Sequence, residues 1–292
     1  IVRLMRSTID PKCHFCACCD GRGCVSELPG MGGVYANENF IRNCAEWDRF
    51  DAVEGPLPAI RLAPITGASQ NVGYAEEGPF YGEIVGACIR AGVRLSIGDG
   101  YPDEKLQFGI AALKGARARG AVFIKPYANE RIVERMEWAH GVAELLGVDI
   151  DSYAIVTMRN LVNLKKKDAT SLLALKARAA SYGVPFAIKG VFKPEDVALV
   201  EAVRPDVTVI SNHGGRVETA RGSTAEFLAR HGAALKAASG ALWVDGGIRK
   251  RRDLLVASSF GAAEVMIGRP FITALLAGGP EGIKNRLEGL LG

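Results

Sequence analysis

The run Ile210–Arg216, ISNHGGR, ends an apolar stretch in a histidine, two glycines and an arginine. Histidine exchanges a proton near neutral pH, and arginine offers a planar fork of donors that fits a carboxylate. The pair reads as a base that grips an acid, against the plainer alternative of a polar turn. Lys189 poses a related question, because it closes the apolar run PFAIKG (185–190). A desolvated ammonium is costly unless an anion compensates. Asp245-Gly246-Gly247-Ile248-Arg249 and Ile267-Gly268-Arg269-Pro270 add glycines, which allow close backbone approach to a ligand, and two guanidiniums, which suit phosphate.

These residues share a position. From residue 58 onward, short apolar runs alternate with amphipathic stretches: 59–65, 93–97, 121–126, 144–150, 185–190, 207–212, 241–247 and 263–269. The stretch TSLLALKARAASYG carries Leu172, Leu173, Leu175, Ala179 and Ala180 on about one face and stops at Gly183, with Pro185 beyond. RIVERMEWAHGVAELL and RRDLLVASSFG have the same character. Continuously apolar strands alternating with helices indicate a parallel sheet covered on its outside. Eight of them predict an α/β (β/α)8 TIM barrel over residues 57–292, preceded by a short irregular Cys-rich segment, 1–56. The final stretch, 280–291, reads as a helix cut short. An open doubly wound sheet is the alternative, but no strand is followed by a GxGxxG turn.

In a barrel, ligand-binding residues belong at the C-terminal ends of strands. Strands five to eight end at Lys189, His213–Arg216, Asp245–Gly247 and Gly268–Arg269, in that order. Loops seven and eight most often bind phosphate, so Gly247, Gly268, Arg249 and Arg269 read as one phosphate cradle.

Composition narrows the class. The chain of 292 residues is 48% hydrophobic and 23% charged, ordinary for a soluble globular protein. A net charge of +4 argues against an extended nucleic-acid surface, while leaving small anionic ligands open. No run of 18 apolar residues suggests a membrane span. The opening IVRLMRSTID lacks a signal peptide's apolar core, and a cytoplasmic location is expected. Five of seven cysteines fall between Cys13 and Cys24. Cys13, Cys16, Cys19 and Cys24 form C-x2-C-x2-C-x4-C, with Cys18 as an extra; an iron–sulfur cluster, zinc, or reduced thiols packed in a loop all fit. The basic runs KKK (165–167) and RKRR (249–252) read as a solvated loop and a helix start, and Trp138 as core or interface.

The ordered set IKG, SNHGGR, DGGIRKRRD and GAAEVMIGRPF resembles the FMN-dependent 2-hydroxy-acid oxidase and dehydrogenase family, which includes glycolate oxidase and L-lactate oxidase. The likeness is strong over about 180–279 and traceable over 59–160, and is closer still to a compact bacterial subgroup of alpha-hydroxy-acid oxidising proteins with a similar N-terminal cysteine pattern. It implies FMN as cofactor and a small L-2-hydroxy acid as substrate, with electrons passing on to oxygen or to a protein or quinone acceptor. It also implies a homo-oligomer. By motif, His213 would be the base, Arg216 the carboxylate clamp and Lys189 the cation beside flavin N1 and O2. Asp245, Gly247, Arg249, Gly268 and Arg269 would hold the ribityl phosphate. Asp149 matches an aspartate that sits next to the histidine, and Tyr127 a substrate-facing tyrosine. Lys125 stands where a flavin-contacting glutamine is usual, and Pro64, Ile65, Thr66 and Ser96 fall at further flavin contacts.

Two departures are visible. Val217-Glu218-Thr219 replaces the usual Gln-Leu-Asp, and the long insertion after strand four, with its second substrate arginine, is almost absent; Arg159 is a weak substitute. A type 2 isopentenyl diphosphate isomerase-like flavoenzyme, or a flavin- or metal-binding redox sensor without catalysis, are the competing readings.

Overall fold

The eight apolar runs become eight parallel strands in the computed structural model, which describes residues 38–72, 74–155, 162–217 and 219–292. The strands are β1 (Ala59–Leu62), β2 (Ser96–Gly98), β3 (Gly120–Ile124), β4 (Ala143–Asp149), β5 (Phe186–Val191), β6 (Val207–Ile210), β7 (Ala241–Asp245) and β8 (Glu264–Ile267). Neighbours in the chain are neighbours in the sheet from β2 to β8, and β8 pairs with β1. An Arg61–Arg94 bridge, with the Leu62 amide donating to the Arg94 carbonyl at 2.8 Å, joins β1 to the segment entering β2 and closes the barrel.

Eight helices flank the strands: α2 (Glu77–Ala91), α3 (Glu104–Gly115), α4 (Asn129–Ala139), α5 (Ala169–Ser181), α6 (Pro194–Val203), α7 (Thr224–Ala238), α8 (Arg251–Ser259) and α9 (Arg269–Leu291). Start signals are local, such as Asp168 accepting the Ser171 amide and Ser223 accepting that of Glu226. The stretch RIVERMEWAHGVAELL divides: the helix stops at Ala139 and AELLGVD continues as β4, since a β-neighbour on each side claims its backbone groups. The stretch 280–291 is the second half of α9, beyond a kink where Gly279 has φ +60° ahead of Pro280.

The pleat of the strands sorts side chains into layers, because alternate residues face opposite sides of a strand. Ala121, Phe123, Leu145, Ala187, Val207, Val209, Trp243 and Met266 meet inside the barrel as an apolar plug. The same parity continued toward the strand ends gives Lys125, Asp149, Lys189, Ser211 and Asp245. The plug thus carries a charged layer at its C-terminal mouth. Continued the other way, it gives Arg61 and Glu264, paired at 2.7 Å at the N-terminal end.

Residues 38–49, which the sequence groups with the N-terminal segment, pack onto the barrel. α1 (Glu38–Ala45) and a short 3-10 turn (Glu46–Arg49) lie over the β6 and β7 loops, with Phe40 and Trp47 fully buried. Burying each such ring is worth about 1.5–3 kcal/mol. The suggested metal ligands Cys13, Cys16, Cys19 and Cys24, and Arg159, lie outside the described residues.

Candidate active site

Each strand carries one or more polar groups to the mouth, where they line a cleft that opens to solvent. Pro64, Ile65 and Thr66 leave β1, Lys125 follows β3, Asp149 ends β4, and Lys189 lies near the end of β5. His213 and Arg216 follow β6, Asp245, Gly247 and Arg249 come from β7, and Gly268 and Arg269 from β8. The structure therefore gathers into one cavity thirteen of the residues singled out from sequence.

At its centre is a buried ion cluster. Asp149 and Lys189 are direct register partners on β4 and β5, with Lys189 Nζ 3.2 Å from Asp149 Oδ1. Lys125 Nζ donates to Asp149 Oδ2 at 2.9 Å. Lys189 also lies 3.5 Å from Asp245 Oδ2 and donates to Ser211 Oγ at 3.2 Å, while Ser211 donates to Asp245 at 2.8 Å. Burial alone would raise the Asp149 carboxyl, but Lys125 and Lys189 outweigh it and hold it well below the ordinary range. Burial likewise pulls on Lys189, yet Asp149, Asp245 and Asp151 keep its ammonium more firmly protonated than usual. For Asp245 burial wins over Lys189, and its carboxyl is raised.

His213 stands above this cluster in a 3-10 turn, His213–Gly215, at a φ of +54° that side-chain-bearing residues seldom adopt. The Asn212 side chain caps the turn by accepting the Gly215 amide at 2.9 Å. Asp151 Oδ2 lies 2.7 Å from His213 Nδ1, and Lys125 Nζ lies 3.2 Å from Nε2. A carboxylate at Nδ1 fixes the imidazole's proton there and leaves Nε2 as the acceptor. Room for Asp151 is made by Gly190, whose φ is +93° and where any Cβ would collide with the Asp151 carboxylate. The glycine of IKG is thus required by the neighbouring loop.

The turn is clamped from above by α1. Asn43 Nδ2 donates to Asn212 Oδ1 at 2.7 Å while its own Oδ1 accepts the Thr224 amide at 3.0 Å. Asn39 donates to the Val217 and Ala220 carbonyls, each at 2.7 Å, and Trp47 Nε1 to the Gly246 carbonyl at 2.9 Å. Gly247, at φ +79°, runs so close to α1 that a Cβ there would collide with the Asn43 carbonyl. Arg269 donates to the Gly214 carbonyl at 2.9 Å and stacks 4.1 Å over Phe40.

Two expected contacts are corrected. Ser96 opens β2 instead of following it, and its buried hydroxyl does not line the cleft. β2 ends two residues later, at Gly98, and Gly98, Asp99 and Gly100 line the cleft. Tyr127 is also outside the lining, and its ring packs 4.3 Å from the Arg135 guanidinium. Lys167, read from KKK as solvated, is buried and donates to Asn129 Oδ1 at 2.8 Å and to the Tyr127 carbonyl. Trp138 is partly buried, 5.2 Å from the Arg135 guanidinium.

Asp99, Lys105, Asp151, Ser211, Asn39 and Asn43 carry no sequence assignment. Strand parity points to Ser211, and the Asp149-Ile150-Asp151 repeat to Asp151. Asp99 accepts the Gly100 and Lys125 amides at 2.8 and 3.1 Å and Arg135 Nε at 3.0 Å, so it fixes the backbone that carries Lys125. Burial raises its carboxyl to about 6, against the opposing pull of Arg135. Asp149, Asp151 and His213 sit close enough to share a cation. Two ammoniums already neutralise that cluster, and a divalent ion would have to displace them.

Comparison with known proteins fits this geometry. The chain matches the family described as FMN-dependent dehydrogenase over residues 117–291. A 2-hydroxyacid oxidase of Dictyostelium discoideum is 39% identical over 105 residues, covering 36% of this chain and 27% of its own length. A 4-hydroxymandelate oxidase of Amycolatopsis orientalis is 36% identical over 115 residues, 39% of this chain and 32% of that one. The matched portion thus spans about a third or less of these relatives. A crystal structure of mandelate oxidase with 3,3-difluoro-2-hydroxy-3-phenylpropionic acid superimposes with a TM-score of 0.68 at 21% identity, over 90% of this chain and 88% of that one, and shows the same fold.

Proposed function

The chain belongs to the FMN-dependent dehydrogenase family, and from that premise we propose that it binds FMN and oxidises a small L-2-hydroxy acid to the 2-oxo acid. The observation that carries this reading is His213, oriented through Nδ1 by Asp151 at 2.7 Å, three residues from Arg216 in the same cleft.

The residues present fit the cofactor. Six cationic side chains and three carboxylates line the cleft, an excess matching a phosphate monoester together with one substrate carboxylate, about three negative charges in all. The closely backed glycines of the β7 loop bring backbone amides to the phosphate end, beside Arg249 and Arg269. When bound, FMN supplies the two-electron acceptor.

The protein's own groups supply the remainder. Arg216 receives the substrate carboxylate as a bidentate partner and fixes the reacting carbon. In the oxidation the substrate gives up two electrons and two protons: His213 Nε2 takes the hydroxyl proton, and the electrons with the other proton would pass to the flavin. The resulting imidazolium is stabilised by Asp151, and Asp149 lies 3.5 Å from Nε2. Lys189, buried and anchored by two carboxylates, is a preplaced cation that needs no reorganisation when negative charge develops nearby.

The test is anaerobic mixing of the FMN-loaded protein with a panel of L-2-hydroxy acids. Bleaching of the flavin with at least one of them is expected. A yellow protein that none of them bleaches, but that isomerises isopentenyl diphosphate once chemically reduced, would transfer the site to the competing chemistry.

A further inference from the structure

Lys125 occupies an unexpected place. Its ammonium touches two groups that also approach each other: it lies 2.9 Å from Asp149 Oδ2 and 3.2 Å from His213 Nε2, while Asp149 Oδ2 and Nε2 are themselves 3.5 Å apart. Lys125 is 6% exposed, and its backbone amide is held by Asp99. Its position is therefore fixed at both ends.

We propose that Lys125 is a positioning residue that offsets the Asp149 charge beside the base, keeping His213 Nε2 unprotonated and ready to accept the substrate proton. This rests on His213 being that base. An imidazole with a carboxylate at each nitrogen holds a proton on both, because each carboxylate stabilises the N–H pointing at it. Asp151 already occupies Nδ1. An ammonium at Nε2 can only donate, so it requires a lone pair there and opposes the second proton. As substrate arrives, its hydroxyl takes over Nε2, and Lys125 retains Asp149 as its partner.

The other charged groups around the ring do not take this role. Lys189 from β5 is engaged by Asp149 and Asp245, and Asp245 from β7 is bonded to Ser211. Arg216 donates to the His213 carbonyl and Arg269 to that of Gly214, so both grip the turn's backbone. Lys125 Nζ, by contrast, meets the ring itself, at 3.2 Å from Nε2.

The experiment compares wild type, Lys125→Gln and Lys125→Arg as FMN-loaded proteins, with flavin content confirming that each is folded. In Lys125→Gln the acid limb of kcat/KM should move up by about one pH unit or more, the usual effect of one neighbouring charge. Activity at pH 6 then falls about tenfold relative to that at alkaline pH, while Lys125→Arg, which keeps the charge, keeps the acid limb at its wild-type position. An acid limb that does not move in Lys125→Gln overturns the proposal. A readout independent of turnover is 15N NMR of the ring nitrogens, assigned with His213→Gln among the four histidines. Near neutral pH the His213 ring of Lys125→Gln should show a larger doubly protonated fraction than that of wild type. A doubly protonated ring in wild type, or identical spectra, would sink the idea. Failure of every hydroxy acid to bleach the flavin, with the NMR difference intact, would instead count against the base assignment alone.

Discussion

The two mouths of this barrel are built from the same kinds of residue and wired to opposite ends. At the N-terminal mouth Arg61 is surrounded: its Nε meets Glu264 at 2.7 Å, its Nη1 meets Glu144 at 2.6 Å and the Leu95 carbonyl at 2.5 Å, and its plane lies 4.6 Å over Trp243. Arg94 completes Glu264 from outside. At the C-terminal mouth cations outnumber carboxylates, a histidine is held at positive φ, and one buried carboxylate oxygen each of Asp151 and Asp245 makes no hydrogen bond among the described residues. Saturated charge closes a core, whereas unsaturated charge leaves interaction energy for a ligand. The first arrangement serves stability and the second binding, as expected for the two faces of this fold.

Substitutions can break that contrast. His213→Ala should lower kcat by roughly 10²–10⁴-fold, the usual worth of a positioned base, while FMN is retained; equal loss of flavin would show the histidine to be structural. Arg61→Met should do the converse. It breaks the buried pair with Glu264, leaving that carboxylate to Arg94 alone, costs roughly 3 kcal/mol in urea unfolding, and leaves flavin affinity near wild type at low temperature. A flavin affinity that collapses with Arg61 would mean the two mouths are not independent. Asn43→Ala should be milder, about 1–3 kcal/mol for its unsatisfied partners, with the loss read as weaker FMN binding through the β7 loop.

Within the C-terminal mouth, two carboxylates sharpen the comparison by pH. Asp149 is held below its ordinary 3.8, so its stabilisation is present above that value and lost only as pH falls through the lower folded one. Asp99 is raised to about 6, so the stability tied to its protonated form is full below 3.8 and is lost as pH rises through about 6. Carboxyl 13C titration should find Asp99 changing near pH 6 with Asp149 still ionised below 3.8. Reversal of that order would contradict the charge map of the mouth.

Much of this was legible because barrels obey a simple code. Eight apolar runs gave eight strands, and period two carried Lys125, Asp149, Lys189 and Asp245 to one layer. Residues set by that repeat were accessible to reasoning from sequence. Ser96 was misplaced because β2 is only three residues long and its end is fixed by pairing with β3, not by its own pattern. Tyr127 lies outside the lining, its ring packed against Arg135, a helix residue whose approach the strand pattern does not encode. Asn39 and Asn43 gave no signal, since an asparagine on a short polar helix becomes informative only when its distant partners are known.

Those asparagines also set a timetable. Asn43 bonds to Asn212 across 169 residues of chain, Glu46 to Ser223 across 177, and Trp47 to Gly246 across 199. Closing such long loops is entropically slow, whichever contacts form first. During synthesis α1 emerges long before anything it binds, so Phe40 and Trp47 must wait with their rings unburied until β7 has been made. The histidine's turn acquires its clamp only then, and for this protein a partial chain is a barrel in waiting with no active site to misfire.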